Sequence, residues 1–396
     1  MNQATRDFIN RHAEADVRQL ALQGCRQPDV DLPLALDQIA GRQKARTKLP
    51  AWAATEGIVY PPRLSMEQCS SEQTATYKAR LAERLLAALP LADRRLADLT
   101  GGFGVDFAYM SQAAGRAVYV ERQPRLCAIA KENFARLGLT GVQVVCADAA
   151  DYLQDMPRGG LIFLDPARRD QHGDRTYDIS DCTPNLMDMK ETLLQKGDAV
   201  MVKLAPMLDW RKAVADLGRE VVREVHIVSV GNECKELLLV LAPGEGLRLV
   251  CTNDNETFEP ARWPAESAPA SAEGALGTYL YEPNASIMKA GCFSELSACY
   301  GVTQLECNSH LFTADRLIAD FPGRRFAIDA VSTMNKRELK EKLGHLSQAN
   351  LTVRNFPMGV GELRRRLKLG EGGSAYVFAT TLTGKRHVLL VCHKVG

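Results

Sequence analysis

Between residues 96 and 242 the chain alternates short apolar runs with amphipathic ones, and this constrains the fold of its 396 residues more than any other feature. The apolar runs are Leu96 to Leu99, Ala117 to Val120, Val142 to Cys146, Leu161 to Leu164 and Ala199 to Val202. Val225 to Val228 and Leu237 to Leu241 follow as the last two. Runs this short and this continuous suit strands covered on both faces by helices. Helical spacing fills Val105 to Ala114 and Leu126 to Leu137 between them. Strand and helix in alternation predict a doubly wound α/β fold, a parallel sheet with right-handed crossovers.

The residues at the strand ends are polar or glycine. The first strand runs into Asp98-Leu99-Thr100-Gly101-Gly102-Phe103-Gly104. A glycine turn at the carboxyl end of a strand lets a nucleotide-like ligand approach the backbone, and glycine also tolerates positive φ. Such a turn is as often only a tight strand-to-helix corner. Three later features fall where the next parallel strands should end: Glu121, Asp148 and Leu164-Asp165-Pro166-Ala167-Arg168-Arg169.

This order of glycine turn, two acids and Asp-Pro resembles class I S-adenosylmethionine-dependent methyltransferases. In more detail, the chain resembles bacterial methyltransferases with a THUMP-like C-terminal domain. The resembling segments include Gln68-Cys69-Ser70-Ser71-Glu72, Asn232-Glu233-Cys234-Lys235-Glu236-Leu237, Tyr281-Glu282-Pro283-Asn284-Ala285 and Arg354-Asn355-Phe356-Pro357. The resemblance implies a Rossmann-like methyltransferase sheet and S-adenosylmethionine as cofactor, held by Asp98, Thr100, Gly101, Gly102, Gly104, Glu121 and Asp148. Thr100 stands where the family usually has glycine, and Gly101 would supply the flexibility. Glu121 would accept both ribose hydroxyls; its bland alternative is to cap the helix near Pro124. Asp148 would accept from the adenine amino group, or simply form the turn before Ala149.

On the acceptor side the resemblance places Asp165, Pro166 and Arg168. Enzymes that methylate exocyclic amines commonly follow the acid with two prolines and an aromatic. Ala167 and Arg168 replace the second proline and the aromatic here, which argues against that chemistry, and Tyr177 is the nearest aromatic in sequence. Arg168 and Arg169 could grip a phosphate bidentately or pair with Asp170 or Asp174. Cys234 raises pyrimidine C5 chemistry, but it lies one strand too late for that role, so a structural role is expected. Lys203, ending the fifth strand, faces the substrate or is a surface lysine.

The length implies several domains. Residues 1–95 read as a helical region, 96–250 as the methyltransferase domain, 251–320 as a connecting region and 321–396 as a small basic α+β domain. The connection is Pro-rich and irregular over residues 251–277. In the last segment, strands are expected at Arg325 to Val331, Leu351 to Phe356, Ala375 to Thr381 and His387 to Cys392. Helices are expected at Lys336 to Leu346 and Gly359 to Leu369. From Phe321 to Gly396 there are 14 Lys and Arg against 5 Asp and Glu, a balance of +9 on a chain of net +1. Arg364-Arg365-Arg366-x-Lys368 concentrates that charge on a helix. RNA is the expected partner, through phosphate contacts; an ordinary solvated face is the alternative. Gln38 to Arg46 is a second basic stretch, near the substrate or merely exposed.

No run approaches the ~20 apolar residues of a membrane span, and the N-terminus lacks a signal-peptide core. Eleven cysteines without a Cys-x-x-Cys pair argue for reduced thiols in the cytoplasm rather than disulfides or a metal site. No metal is expected, and the oligomeric state is open. The expected function is methylation of a nucleotide in rRNA or tRNA. Alternatives are methylation of a protein or small molecule, an inactive RNA-binding relative of the fold, and a nicotinamide-dependent oxidoreductase. The last lacks a clean Gly-x-Gly-x-x-Gly.

Overall fold

A computed structural model describes residues 1–25, 27–168, 179–263 and 276–395. The chain forms two compact units. The first comprises Met1–Val225 and Lys235–Leu247, the second His226–Cys234 and Arg248–Gly396.

Six helices open the first unit: α1 (Gln3–Arg11), α2 (Val17–Gln23), α3 (Leu32–Lys48), α4 (Pro50–Ala54), α5 (Arg63–Gln68) and α6 (Glu72–Leu86). Short polar side chains start several of them. Asp16 accepts from the Arg18 and Gln19 N–H groups, and Ser71 accepts from Thr74 N–H. These caps satisfy donors that a helix start leaves unpaired. The basic stretch from Gln38 to Arg46 lies on α3 and performs structural tasks. The Gln38 amide donates to Tyr60 O at 2.7 Å and accepts from Tyr60 N–H at 2.8 Å, and Arg46 pairs with Glu14.

One sheet contains β1 (Arg95–Asp98), β2 (Arg116–Glu121), β3 (Val142–Cys146), β4 (Leu161–Leu164), β5 (Ala199–Leu204), β6 (Val222–Val230) and β7 (Glu233–Leu241). Their order is β3-β2-β1-β4-β5-β7-β6. β1 pairs in parallel with β2 and β4, Leu96 lying opposite both Ala117 and Leu161. β4 is buried along its whole length, as its four apolar residues require. β3, at the edge, is only partly buried. Helices α7 (Val105–Met110), α8 (Pro124–Arg136), α9 (Ala149–Asp155), α10 (Leu186–Lys196) and α11 (Trp210–Leu217) connect the strands. One expectation is corrected: the sheet is not parallel throughout. Val200 to Leu204 run antiparallel to Leu241 to Leu237. Only Gly231 and Asn232 separate β6 from β7, too few for a crossover helix, so the chain turns back as a hairpin.

In the second unit β8 (Arg248–Asn253) and β9 (Glu256–Phe258) form an antiparallel hairpin, where little regular structure was expected over 251–277. Asp254 turns it at φ 53°, a conformation Asp tolerates better than most residues. The segment expected only to connect also carries β10 (Tyr279–Pro283), α12 (Ala285–Ala290), α13 (Phe293–Tyr300), β11 (Thr303–Gln304) and β12 (Phe312–Ala314). These strands join β13 (Gly323–Ser332), β14 (Asn350–Arg354), β15 (Ala375–Leu382) and β16 (Arg386–Lys394) in a sheet ordered β11-β12-β10-β13-β16-β15-β14. Helices α14 (Lys336–Leu343) and α15 (Val360–Leu367) complete the expected strand-helix-strand-helix-strand-strand order.

Both faces of this second sheet carry apolar cores. Phe326, Phe378 and Leu390 pack with Leu280, Leu305 and Leu311. Val377, Ala379, Leu389 and Val391 pack with Leu343 of α14 and Leu363 of α15. Both faces of the central strands are thus covered, and the cluster Arg364, Arg365 and Arg366 lies on α15.

Candidate active site

The carboxyl ends of β1, β2, β3, β4 and β5 converge on a cavity of about 720 Å³ in the first unit. β1 and β4 lie side by side at the switch point of the strand order, where open α/β sheets bind ligands. Asp98, Thr100, Gly101, Gly102, Gly104, Glu121, Asp148, Asp165 and Pro166 all line the cavity.

Each glycine of the turn has its own reason. A Cβ on Gly101 would lie 2.1 Å from the Tyr119 ring, and one on Gly104 would lie 2.7 Å from Phe134. Those two are glycine because the core behind the turn is full. Gly102 differs: at φ 54° a Cβ would meet nothing closer than Thr100 O at 3.8 Å. Only at Gly102 is the space left open, on the edge that lines the cavity. The turn is further pinned by Tyr119 O–H donating to Gly102 O at 2.5 Å.

Thr100, which departs from the family pattern, has a visible task. Its Oγ1 accepts the Asp165 N–H at 2.6 Å, tying the turn after β1 to the turn after β4. Asp98 is buried and accepts from Thr100 N–H at 3.0 Å. Burial pushes its carboxyl well above the usual range, the Thr100 N–H opposing the rise.

Glu121 accepts from Gly102 N–H at 3.0 Å and from Gln123 N–H at 2.9 Å. Each carboxylate oxygen keeps a further lone pair, so the geometry leaves room for diol recognition. It also shows that Glu121 fastens the turn. Asp148 caps α9 through Ala150 N–H at 2.8 Å and is exposed at the cavity edge. Its turn-forming role is thus real, and its position leaves it available to a ligand.

On the opposite side Asp165 pairs with Lys203 of β5. Burial disfavours the Lys203 ammonium, but Asp165, Asp106 and Glu236 outweigh it and raise the group above its ordinary value. Lys203 is therefore a cavity residue and not a surface lysine. Arg168 belongs to a two-residue strand paired with Cys182, and its side chain lies outside the described residues. So do Arg169, Asp170, Asp174 and Tyr177. Cys234 belongs to the second unit.

Several cavity residues were not singled out as site residues by sequence reasoning. Cys69 and Ser70 follow α5, Asp106 opens α7, and Lys235 lies on β7. Behind them Lys78 of α6 is fully buried, 3.2 Å from Asp106 and 2.5 Å from Glu236. Ser70 Oγ donates to Asp106 Oδ2 at 2.7 Å. Two signals were available. Lys78 shares the buried stripe of α6 with Thr74, Ala75, Leu81 and Ala82, and Glu236 directly precedes five apolar residues. A charge in such places needs a partner.

Comparison with known proteins agrees with this fold. Residues 279–322 match a family model described as a ferredoxin-like domain, and residues 323–394 one described as THUMP domain-like. Uncharacterized S-adenosylmethionine-dependent methyltransferases from two strains of Mycobacterium tuberculosis are 27% identical over 317 residues, covering 77% of this chain and 80% of theirs. A protein-L-isoaspartate O-methyltransferase from Methanoculleus marisnigri is 33% identical over 143 residues, 35% of this chain and 56% of its own. The crystal structure of a protein from Porphyromonas gingivalis W83, assigned as a methyltransferase, superposes with a TM-score of 0.84 at 29% identity. It covers 99% of this chain and 98% of that one. Sheet, turn and relatives define an S-adenosylmethionine-dependent methyltransferase with a Rossmann-like core. The chain is of the kind that carries a THUMP-like domain at its C-terminus. Among the described residues no helix is long and apolar enough to cross a membrane, and no His, Cys, Asp and Glu group is arranged to hold a metal.

Proposed function

We propose that this methyltransferase modifies a nucleotide in RNA, in the cytoplasm, with the basic C-terminal segment supplying much of the affinity. The observation that carries this reading is a coincidence of two features. The THUMP-like match at 323–394 falls on the segment that holds the +9 balance. A cavity alone touches few phosphates, so a second cationic surface is what a long polyanion needs. Arg365 and Arg366 of α15 are exposed. Arg364 donates to Ala349 O at 3.2 Å and Gly370 O at 2.5 Å, so it also holds the fold.

Bound S-adenosylmethionine supplies an electrophilic methyl group on sulfur. In this reading Asp98, Thr100, Gly101, Gly102 and Gly104 shape its cradle, Glu121 takes the ribose diol and Asp148 the adenine amine. Asp165 and Pro166 line the acceptor end, and Arg168 steadies the acceptor. Of the proposed divisions at 95, 250 and 320, the last separates strands of one sheet, since β10, β11 and β12 pair into the sheet of β13 to β16.

The test is transfer of tritiated methyl from S-adenosylmethionine to total RNA of a strain lacking the gene, with the protein fraction as comparison. Label in RNA supports the reading. Label confined to protein favours the protein-directed alternative, and label in neither, with donor binding intact, favours an inactive RNA-binding protein.

A further inference from the structure

Five segments bring ionisable side chains together at the acceptor end of the cavity. Lys203 of β5 pairs with Asp165 after β4, and both line the cavity. Behind them Lys78 of α6 lies between Asp106 of α7 and Glu236 of β7. The adenosine contacts assigned above use none of these groups, so the array is placed for the acceptor. Burying Lys78 and Glu236, with Lys203 and Asp106 largely covered, is expensive unless the charges are mutually paired.

The signs of the charges select the acceptor. A nitrogen nucleophile becomes cationic as its bond to methyl forms, and the neighbouring Lys203 ammonium opposes that. A ring carbon needs a thiolate on the adjacent carbon. The Cys69 thiol donates to Met66 O at 3.3 Å, and burial raises it; Cys182 is 2% exposed. A carboxylate acceptor is already an anion and would be repelled by Asp165. A hydroxyl fits both partners: a carboxylate to take its proton, and an ammonium to stabilise the alkoxide character that results.

We propose that the acceptor is an oxygen, the 2′-hydroxyl of a ribose in RNA, activated by the Asp165–Lys203 pair. This rests on the RNA reading above. The hydroxyl oxygen forms a bond to the donor methyl carbon, and the carbon–sulfur bond breaks with its electron pair staying on sulfur. The hydroxyl proton passes to the Asp165 carboxylate and thence to solvent, leaving a 2′-methyl ether and S-adenosylhomocysteine. Glu236 touches no reacting atom; it is a positioning residue whose charge favours the Lys203 ammonium, and Lys78 in turn pairs with Glu236.

The experiment uses the full chain, tritiated-methyl donor and total RNA from the deletion strain, followed by alkaline hydrolysis. A 2′-methyl ether blocks cleavage at its own phosphate, so label is expected in alkali-resistant dinucleotides. Label in mononucleotides overturns the oxygen acceptor while the RNA reading stands. Absence of label from RNA overturns both. Lys203→Met should lower transfer by about 100-fold or more, with S-adenosylhomocysteine affinity by calorimetry within about twofold of the parent and partial rescue in Lys203→Arg. Transfer at the parent rate in Lys203→Met would overturn the role of the pair. Glu236→Gln should lower kcat and leave KM for RNA unchanged; a change in KM alone would remove its positioning role.

Discussion

Lys78→Met isolates the buried charge array from everything else in the fold. Methionine nearly preserves volume, so little cavity is created. What changes is charge: Asp106 at 3.2 Å and Glu236 at 2.5 Å lose their shared cation. Asp106 Oδ1 accepts no hydrogen bond among the described residues, so the Lys78 ammonium is its compensation. Removing one partner of a buried pair typically destabilises by about 3–5 kcal/mol. The loss should depend on pH. Burial already raises the Glu236 carboxyl, against the pull of Lys78 and Lys203, and without Lys78 it rises further. A carboxyl raised in the folded state favours folding while protonated, below its unfolded value of about 4.3. It opposes folding as pH climbs through the folded value. The deficit is therefore largest at neutral and alkaline pH and shrinks on acidification. Urea unfolding at several pH values, followed by fluorescence of the buried Trp52 and Trp210, measures it. Adding Glu236→Gln should recover a large part of the loss. A deficit under about 1 kcal/mol at pH 7, the size of an exposed pair, would refute the reasoning.

The glycine turn gives a contrast. Gly101→Ala meets the Tyr119 ring at 2.1 Å and should lower stability by about 1–3 kcal/mol, seen as a lower urea midpoint. Gly102→Ala should cost only the left-handed strain of about 1–2 kcal/mol yet weaken donor binding in calorimetry. Thr100→Val should remove about 1 kcal/mol of stability with the hydrogen bond to Asp165 N–H, and slow transfer by loosening Asp165. Arg365→Glu with Arg366→Glu should weaken RNA binding and flatten its salt dependence without altering donor affinity. Filter binding across a salt series checks this, and Arg364 is left alone because it holds two carbonyls.

Much of the first unit was legible because its strands are buried on both faces and so read as unbroken apolar runs. Leu161 to Leu164 and Ala199 to Val202 needed no context. The cofactor-side residues were legible because glycines and acids interrupt those runs at fixed places. The antiparallel β7 was not, because strand direction depends on the length of a connection whose only local sign is Gly231-Asn232. The β8–β9 hairpin was hidden by its Ala- and Pro-rich surroundings, and Asp254 rather than glycine turns it. Lys78, Asp106 and Glu236 are far apart in sequence, and only the packing of α6 and α7 with β7 brings them together. Thr100 read as a defect in a glycine motif; its partner, the Asp165 N–H, lies 65 residues away and leaves no local trace.

The most direct measurement is calorimetric titration of the protein with S-adenosylmethionine, with NAD as comparison, repeated on Glu121→Ala. The expected result is saturable binding of S-adenosylmethionine, no heat from NAD, and a loss of about 1–3 kcal/mol in the variant, typical of charge-assisted hydrogen bonds. Binding of NAD in its place, or unchanged S-adenosylmethionine affinity in a folded Glu121→Ala protein, would contradict the assignment of the strand-end cavity to the methyl donor.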